Sequence, residues 1–382
     1  MMRLEDKKKM TTLNSSVGAD EEQSPSKNCN DSITETEEYF NSFDEIKKKM
    51  MRLSNPYLLN TVTMSELYDS VYSGLPAIIE NLLYPGLYLF AGGAKIGKSF
   101  LMIQLAYHIS TGTPFWGYPC RKGKVLYLAL EDNHRRLQSR SYRMFGTEST
   151  DELFFSVSAG KINKELDEQL SNFMQEHPET KLIIIDTLQK VREEGGDGYS
   201  YSNDYQIIGR LKSFADSYGI CVLIVHHTRK EKAEDIFEMI SGTTGLFGAA
   251  DGAFVMQKEK RTNNSATLEI VGRDQPDQRF KLVRNIETLA WDLESSETEL
   301  WNEPKEPLLE LISKFITETN KEWNGTPTQL VEKLGVDIKP NTLTMKLNVT
   351  ANRLFNEYNI RYSNSRSHSG RRVSFELIEP EV

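Results

Sequence analysis

The sequence predicts an α/β fold with a mostly parallel sheet, on two observations. From about Pro76 to Leu289, short β-rich apolar runs alternate with helical ones, the pattern of strands covered by helices on both faces. The first of those runs, Leu87–Ala91, leads into GGAKIGKS at 92–99 and then into the helical run FLMIQLAYHI. That is the strand–turn–helix order in which a phosphate-binding loop works.

Taken along the chain, residues 1–44 are rich in Ser, Asn, Thr, Glu and Asp with few apolar side chains, so they are expected to be a disordered tail. A short basic amphipathic stretch runs from Glu45 to Arg52, and SELYDS (65–70) supplies a helix cap at the start of the folded part. Candidate strands are Leu87–Ala91, Val125–Leu130, Leu153–Val157, Leu182–Ile185, Val222–Val225, Gly252–Gln257, Thr267–Val271 and Phe280–Val283. The first five contain continuous apolar stretches, as buried parallel strands do. The later runs flank the polar turn KEKRTNNS and read as an antiparallel hairpin added at the sheet edge. The nucleotide-type core is therefore placed at 45–292, with ESSETELWNEPKEP giving an acidic linker at 293–307. Beyond it, residues 308–382 carry three helical runs and then two alternating strands around a Ser/Gly/Arg-rich turn. These fit a small α+β winged helix-turn-helix domain.

Composition narrows the function. The chain of 382 residues has a formal net charge of −9, which excludes a uniformly basic nucleic-acid coat, so any such contact has to be local. Cys29, Cys120 and Cys221 are scattered without a C-x-x-C pair, which speaks against a disulfide framework or a zinc ribbon and for a reducing compartment. With no membrane-length apolar run and no secretory leader pattern, a soluble cytoplasmic protein is expected.

GGAKIGKS is a complete GxxxxGK(S/T) loop comprising Gly92, Gly93, Ala94, Lys95, Ile96, Gly97, Lys98 and Ser99. Its glycines let backbone N–H groups close around a phosphate. Lys98 is suited to the β/γ oxygens and the Ser99 hydroxyl to Mg²⁺. Phe100 follows directly. KLIIIDTL places Asp186 at the end of an apolar strand, where a metal-linked carboxylate belongs. VLYLALED ends another strand with Glu131 and Asp132, either of which is a candidate for polarising an attacking water. VLIVHHT ends a third with His226 and His227. Ligands bind at the carboxyl edge of a parallel sheet, and three strands bring polar groups to it.

The segments GGAKIGKS, LYLALED, IIIDT and VHHTRK, followed by SGTTGLFGAADGAFVM and ATLEIVGRD, occur in this order between roughly Leu75 and Val283. This set resembles the RecA-like P-loop ATPases of the RepA type, hexameric replicative helicases of plasmids and mobile elements. The resemblance implies a RecA-like core, Mg²⁺-dependent ATP hydrolysis and self-association into a ring, with a hexamer the expected form. It makes Glu131 the catalytic base, Asp186 the metal-linked aspartate and His227 the γ-phosphate sensor. Arg140 takes the place of a nucleotide-contacting arginine, with Arg136 its near competitor, and Arg273 that of an arginine finger reaching a neighbouring subunit. Related helicases often carry a basic residue two positions before the finger; here that position is Val271.

DNA is the expected macromolecular partner. In RecA-like rings the loops after catalytic strands line a central channel, which here draws attention to Arg192–Asp204 and Arg229–Gly245. Tyr199 and Tyr201 offer stacking faces, and Arg229, Lys230 and Lys232 offer phosphate contacts. From Lys321 to Ile378 there are nine Lys/Arg against five Asp/Glu, a basic module within an acidic chain. Arg366, Arg371 and Arg372 crowd its expected wing, beside His368. No primase-like carboxylate cluster is visible, so a separate primase or initiator would supply priming. A DNA-loading factor without unwinding, a nucleotide-controlled DNA-binding regulator and a small-molecule kinase are the rival classes.

Overall fold

The computed structural model describes residues 47, 50–52, 54–72, 74–192, 201–229, 235–240, 244–258, 260, 263–273, 275–298, 306–367 and 370–378. The expected tail at 1–44 lies outside them. The chain divides into two compact units, Met1–Asp69 and Ser70–Val382.

In the first unit, helix α1 (Met64–Asp69) buries none of its residues. Its cap falls two residues before the expected Ser65. Thr63 N donates to Glu66 Oε2 at 2.6 Å and Glu66 N donates to Thr63 Oγ1 at 3.2 Å. This reciprocal T-x-x-E box satisfies two donors at once, which a lone serine cannot.

The second unit is built on a nine-stranded sheet in the order β3-β2-β4-β5-β1-β6-β7-β8-β9. Its strands are β1 (Gly86–Gly92), β2 (Lys124–Ala129), β3 (Leu153–Ser156), β4 (Thr180–Asp186), β5 (Cys221–His227), β6 (Gly252–Gln257), β7 (Ser265–Gly272), β8 (Gln275–Arg284) and β9 (Trp291–Thr298). Strands β1 to β6 pair in parallel, and β7, β8 and β9 are added antiparallel. Helices α2 (Lys98–Thr111), α3 (His134–Phe145), α4 (Glu165–Glu176), α5 (Leu188–Val191), α6 (Tyr201–Tyr218) and α7 (Thr244–Ala249) connect them.

The apolar strands are covered on both faces. Tyr88, Phe90, Leu182 and Ile184 enter one core with α2 and α3, while Leu87, Leu89, Ile183 and Ile185 enter a second with α4, α6 and α7. Successive side chains point to opposite faces, so a strand in this position must be apolar throughout. β7 and β8 alternate instead, and Leu268, Ile270, Phe280 and Leu282 join the first core only. One order-dependent fact positions the site: β5 separates β1 from β4, and β4 separates β5 from β2.

The acidic stretch expected as a linker from residue 293 begins inside β9. Trp291 is fully buried at the strand's start, and Lys281 pairs with Glu294 at 2.7 Å. An apolar anchor and cross-strand charge pairing hold a segment whose composition alone reads as loop.

Residues 307–377 form α8 (Pro307–Phe315), β10 (Glu322–Gly325), α9 (Pro327–Leu334), α10 (Pro340–Tyr358), β11 (Ile360–Ser367) and β12 (Gly370–Leu377). The three helices and the β11–β12 hairpin match the expectation. Strand β10 is an addition to it; it pairs with β12, and Trp323 lies 5.9 Å from Phe315 and 6.1 Å from Phe375. A separate apolar core gathers Leu308, Ile312, Leu330, Leu347, Leu354 and Phe375. Among the described residues, no helix is long and apolar enough to cross a membrane.

Candidate nucleotide site at the carboxyl edge of the sheet

The loop between β1 and α2 is shaped by its glycines. Gly97, at φ 108°, occupies backbone space that a side chain rarely adopts, and a Cβ there would lie 2.9 Å from the Trp291 ring. A Cβ on Gly92 would meet the Met256 carbonyl at 2.7 Å. Lys98, at the first position of α2, folds back over the loop. Its Nζ donates to Gly92 O at 2.8 Å and Gly93 O at 2.9 Å, and lies 3.4 Å from His227 Nδ1. Burial holds the Lys98 ammonium below its ordinary range, partly offset by Asp186 and Glu131. A cation so placed is stabilised further by any anion entering the loop.

Sheet register brings the remaining groups to this point. Gly92 lies opposite His227, and Asp186 opposite both Ala129 and Val225. Ser99 Oγ and the fully buried Tyr127 phenol each donate to Asp186 Oδ2 at 2.8 Å. Burial pushes the Asp186 carboxyl up, against the two hydrogen bonds and Lys98. Thr187 Oγ1 donates to Glu131 Oε1 at 3.4 Å. A cavity of about 410 Å³ is lined by Lys95, Gly97, Lys98, Ser99, Phe100, Glu131, Asp132, Arg136, Arg140, Asp186, Thr187, His227 and Arg284.

Within this set the structure separates residues that sequence left as alternatives. Asp132 takes Arg136 Nε at 2.6 Å and is also paired with Arg140, whereas Glu131 has no ion pair among the described residues. Both arginines thus serve the same carboxylate; Arg140 also lies 4.9 Å over the Phe100 ring. His226 is buried at 5% exposure while His227 lines the cavity. Arg273 is not part of this chain's cavity. Gly272 pairs with Gly252 at the start of β6, so Arg273 sits at the amino edge of the parallel sheet, with its Nη2 donating to Gly248 O at 3.1 Å and Asp251 3.8 Å away.

Tyr199, Lys230 and Lys232 lie outside the described residues, as does the side chain of Tyr201, whose backbone begins α6. The expected loop Arg192–Asp204 is partly helix, and its two end residues form a buried ion pair at 2.6 Å. Those two charges neutralise each other and offer nothing to a channel. Arg229 is exposed, its backbone N donating to Met239 O at 2.7 Å. At the β11–β12 tip, Arg366 lies in register with Arg371 and Ser365 with Arg372.

Sequence reasoning missed four residues. Tyr127 sits mid-strand, Thr187 follows Asp186, and Arg284 and Trp291 bracket the β8–β9 turn. The Arg284 guanidinium lies 4.2 Å over Phe100 and 5.9 Å over Trp291. Burial, Arg143 and Arg140 hold it below its ordinary range. Trp291 is clasped by the Gln104 side chain at 3.0 and 2.8 Å, and its indole N–H donates to Gly97 O at 3.2 Å. An arginine ending a strand that returns to the loop-bearing edge was the available signal.

The strand order, the phosphate loop and this edge define a RecA-like P-loop α/β fold. An AAA-domain family, AAA_25, matches residues 55–233. No curated protein matches the chain. Among solved structures, an isolated ATPase domain is 14% identical, with a TM-score of 0.47 over 67% of this chain and 97% of that one. A DnaB-like replicative helicase, described with its interactions with primase, is 16% identical, with a TM-score of 0.47 over 68% of this chain and 74% of that one.

Proposed function

We propose that the protein is a Mg²⁺-dependent ATPase that acts on DNA as a ring-forming replicative helicase of the RepA type, serving a mobile element. The observation that carries this reading is the convergence of Lys98, Ser99, Glu131, Asp186 and His227 on one cavity of about 410 Å³. Ser99 Oγ and Asp186 Oδ2, 2.8 Å apart, form an all-oxygen donor pair that suits Mg²⁺. When bound, that ion neutralises charge on the β- and γ-phosphate oxygens.

Lys98 exchanges its two loop carbonyls for phosphate oxygens as the nucleotide enters. Glu131, steadied by Thr187, accepts a proton from the attacking water. The water oxygen bonds to the γ-phosphorus, the bond to the β–γ bridging oxygen breaks, and ADP leaves. Asp132 holds Arg136 and Arg140 on the wall beside Phe100. His227, within reach of Lys98, reports the γ-phosphate to the chain that follows β5. Arg273, remote from its own cavity and exposed, completes the site of the next subunit. The basic β11–β12 tip and the helices before it act as a winged helix on DNA, and a separate primase supplies priming.

The test combines ATP turnover with and without single-stranded DNA, mass measurement with ATP present, and strand displacement on a forked duplex. DNA-stimulated turnover, a multi-subunit mass and displacement are expected. Stimulated turnover without displacement would turn the reading to a loading factor, and turnover indifferent to DNA would remove it.

A further inference from the structure

Tyr127 occupies the middle of β2, in register with Ile184 of β4, two residues before the Ala129–Asp186 pair. Its ring belongs to the apolar core beneath α2, at 1% exposure. Phenylalanine would fill the same space. A buried hydroxyl is costly unless it is hydrogen-bonded, and the Tyr127 phenol donates to a single acceptor, Asp186 Oδ2, at 2.8 Å.

The same oxygen accepts from Ser99 Oγ, also at 2.8 Å, and Oδ1 takes no hydrogen bond from a described residue. The two donors are not equivalent. Ser99 is a first-turn hydroxyl bordering the cavity, available to a metal ion; Tyr127 is enclosed and faces only the carboxylate. Once the Ser99 oxygen is engaged elsewhere, Tyr127 remains as the group that fixes which Asp186 oxygen is held and which is free. Such outer hydrogen bonds orient metal-linked ligands, and their loss commonly costs on the order of 10-fold or more in metal affinity.

We propose that Tyr127 is a positioning residue for divalent-metal handling, its phenol O–H holding the Asp186 carboxylate in the orientation that lets Ser99 and Asp186 serve a metal–nucleotide complex together. This rests on the nucleotide site proposed above. The substitution Tyr127→Phe removes one oxygen and keeps the ring. The primary measurement is Mn²⁺ affinity of the full-length protein with ADP, read by electron paramagnetic resonance. It is accompanied by binding of a fluorescent ADP analogue in EDTA and by the Mg²⁺ dependence of ATP turnover.

The expected result is a loss of about 10-fold in Mn²⁺ affinity and a matching rise in the Mg²⁺ needed for half-maximal turnover. Metal-free analogue binding should stay within about twofold. In the Asp186→Asn background, adding Tyr127→Phe should change Mn²⁺ affinity no further, because the two residues act as one unit. Unchanged Mn²⁺ affinity in Tyr127→Phe overturns the proposal. So does a loss of equal size in both backgrounds, or a stability loss that persists with Asp186→Asn and lowers metal-free binding alike; each means a packing role. A parent protein that binds no Mn²⁺ with ADP removes the nucleotide site itself, an outcome distinct from any behaviour of the variant.

Discussion

At the scale of single residues, burial that serves the chemistry works against the fold. Asp186 is 6% exposed and its carboxyl is raised by that burial. As pH rises, the unfolded carboxyl ionises first, so this group's contribution to stability falls from the ordinary carboxylate range up to the raised folded value. Above that value the full cost persists. Asp186→Asn should therefore unfold at a higher denaturant midpoint than the parent at pH 7, with the gain fading toward acid; circular dichroism at several pH values checks it. A lower midpoint at neutral pH would contradict the sign. Glu131→Gln should bind ATP normally yet lose turnover by about 10²- to 10⁴-fold, as single-turnover assays would read. Asp132, tied to Arg136 and Arg140, is not free to replace it.

At the scale of elements, the phosphate loop is braced from a strand far away in sequence. The β8–β9 turn is pinned to α3 by Arg143, which donates to the Glu287 and Ile286 carbonyls at 2.8 and 2.9 Å. Trp291 then abuts Gly97. Gly97→Ala meets both a left-handed backbone and the indole, so it should cost about 1–3 kcal/mol of stability and weaken nucleotide binding at least about 10-fold. Denaturant unfolding and fluorescent-analogue titration would show whether one change does both. At the other end of the chain, like charges in register at the β11–β12 tip repel unless an anion lies between them. Replacing Arg366, Arg371 and Arg372 by Gln should lower the salt slope of duplex binding by about 2 to 3; an unchanged slope would make the tip a protein contact. These two elements also mark what sequence could reveal. GGAKIGKS, IIID and VHH were legible because contiguous residues carry both strand and chemistry. Tyr127, Arg284 and Trp291 were not, since their contacts exist only once β2 lies beside β4 and β9 closes onto β8. β9 escaped notice because Ser, Thr and Glu predominate after its single apolar anchor.

At the scale of the whole molecule, the sheet has two chemically different edges. Lys98 lies at the carboxyl edge of the parallel strands and Arg273 at the amino edge. If Arg273 acts across an interface, Arg273→Ala should keep near-normal ATP affinity and lose most turnover, as a group acting on transition-state charge does. Mixed with Lys98→Ala protomers, it should regain activity, because some interfaces then join an intact loop to an intact arginine. Absence of recovery, with mixed assemblies shown by mass, would leave Arg273 as a local partner of Asp251. The opposed edges carry a further consequence for growth. A row of such subunits left open has one fewer completed site than it has members, and each end still accepts another copy. Only closing the circle removes the incomplete site and the growing ends together. Turnover per subunit should then climb with protein concentration and level off where closure is complete, so specific activity itself becomes a gauge of assembly.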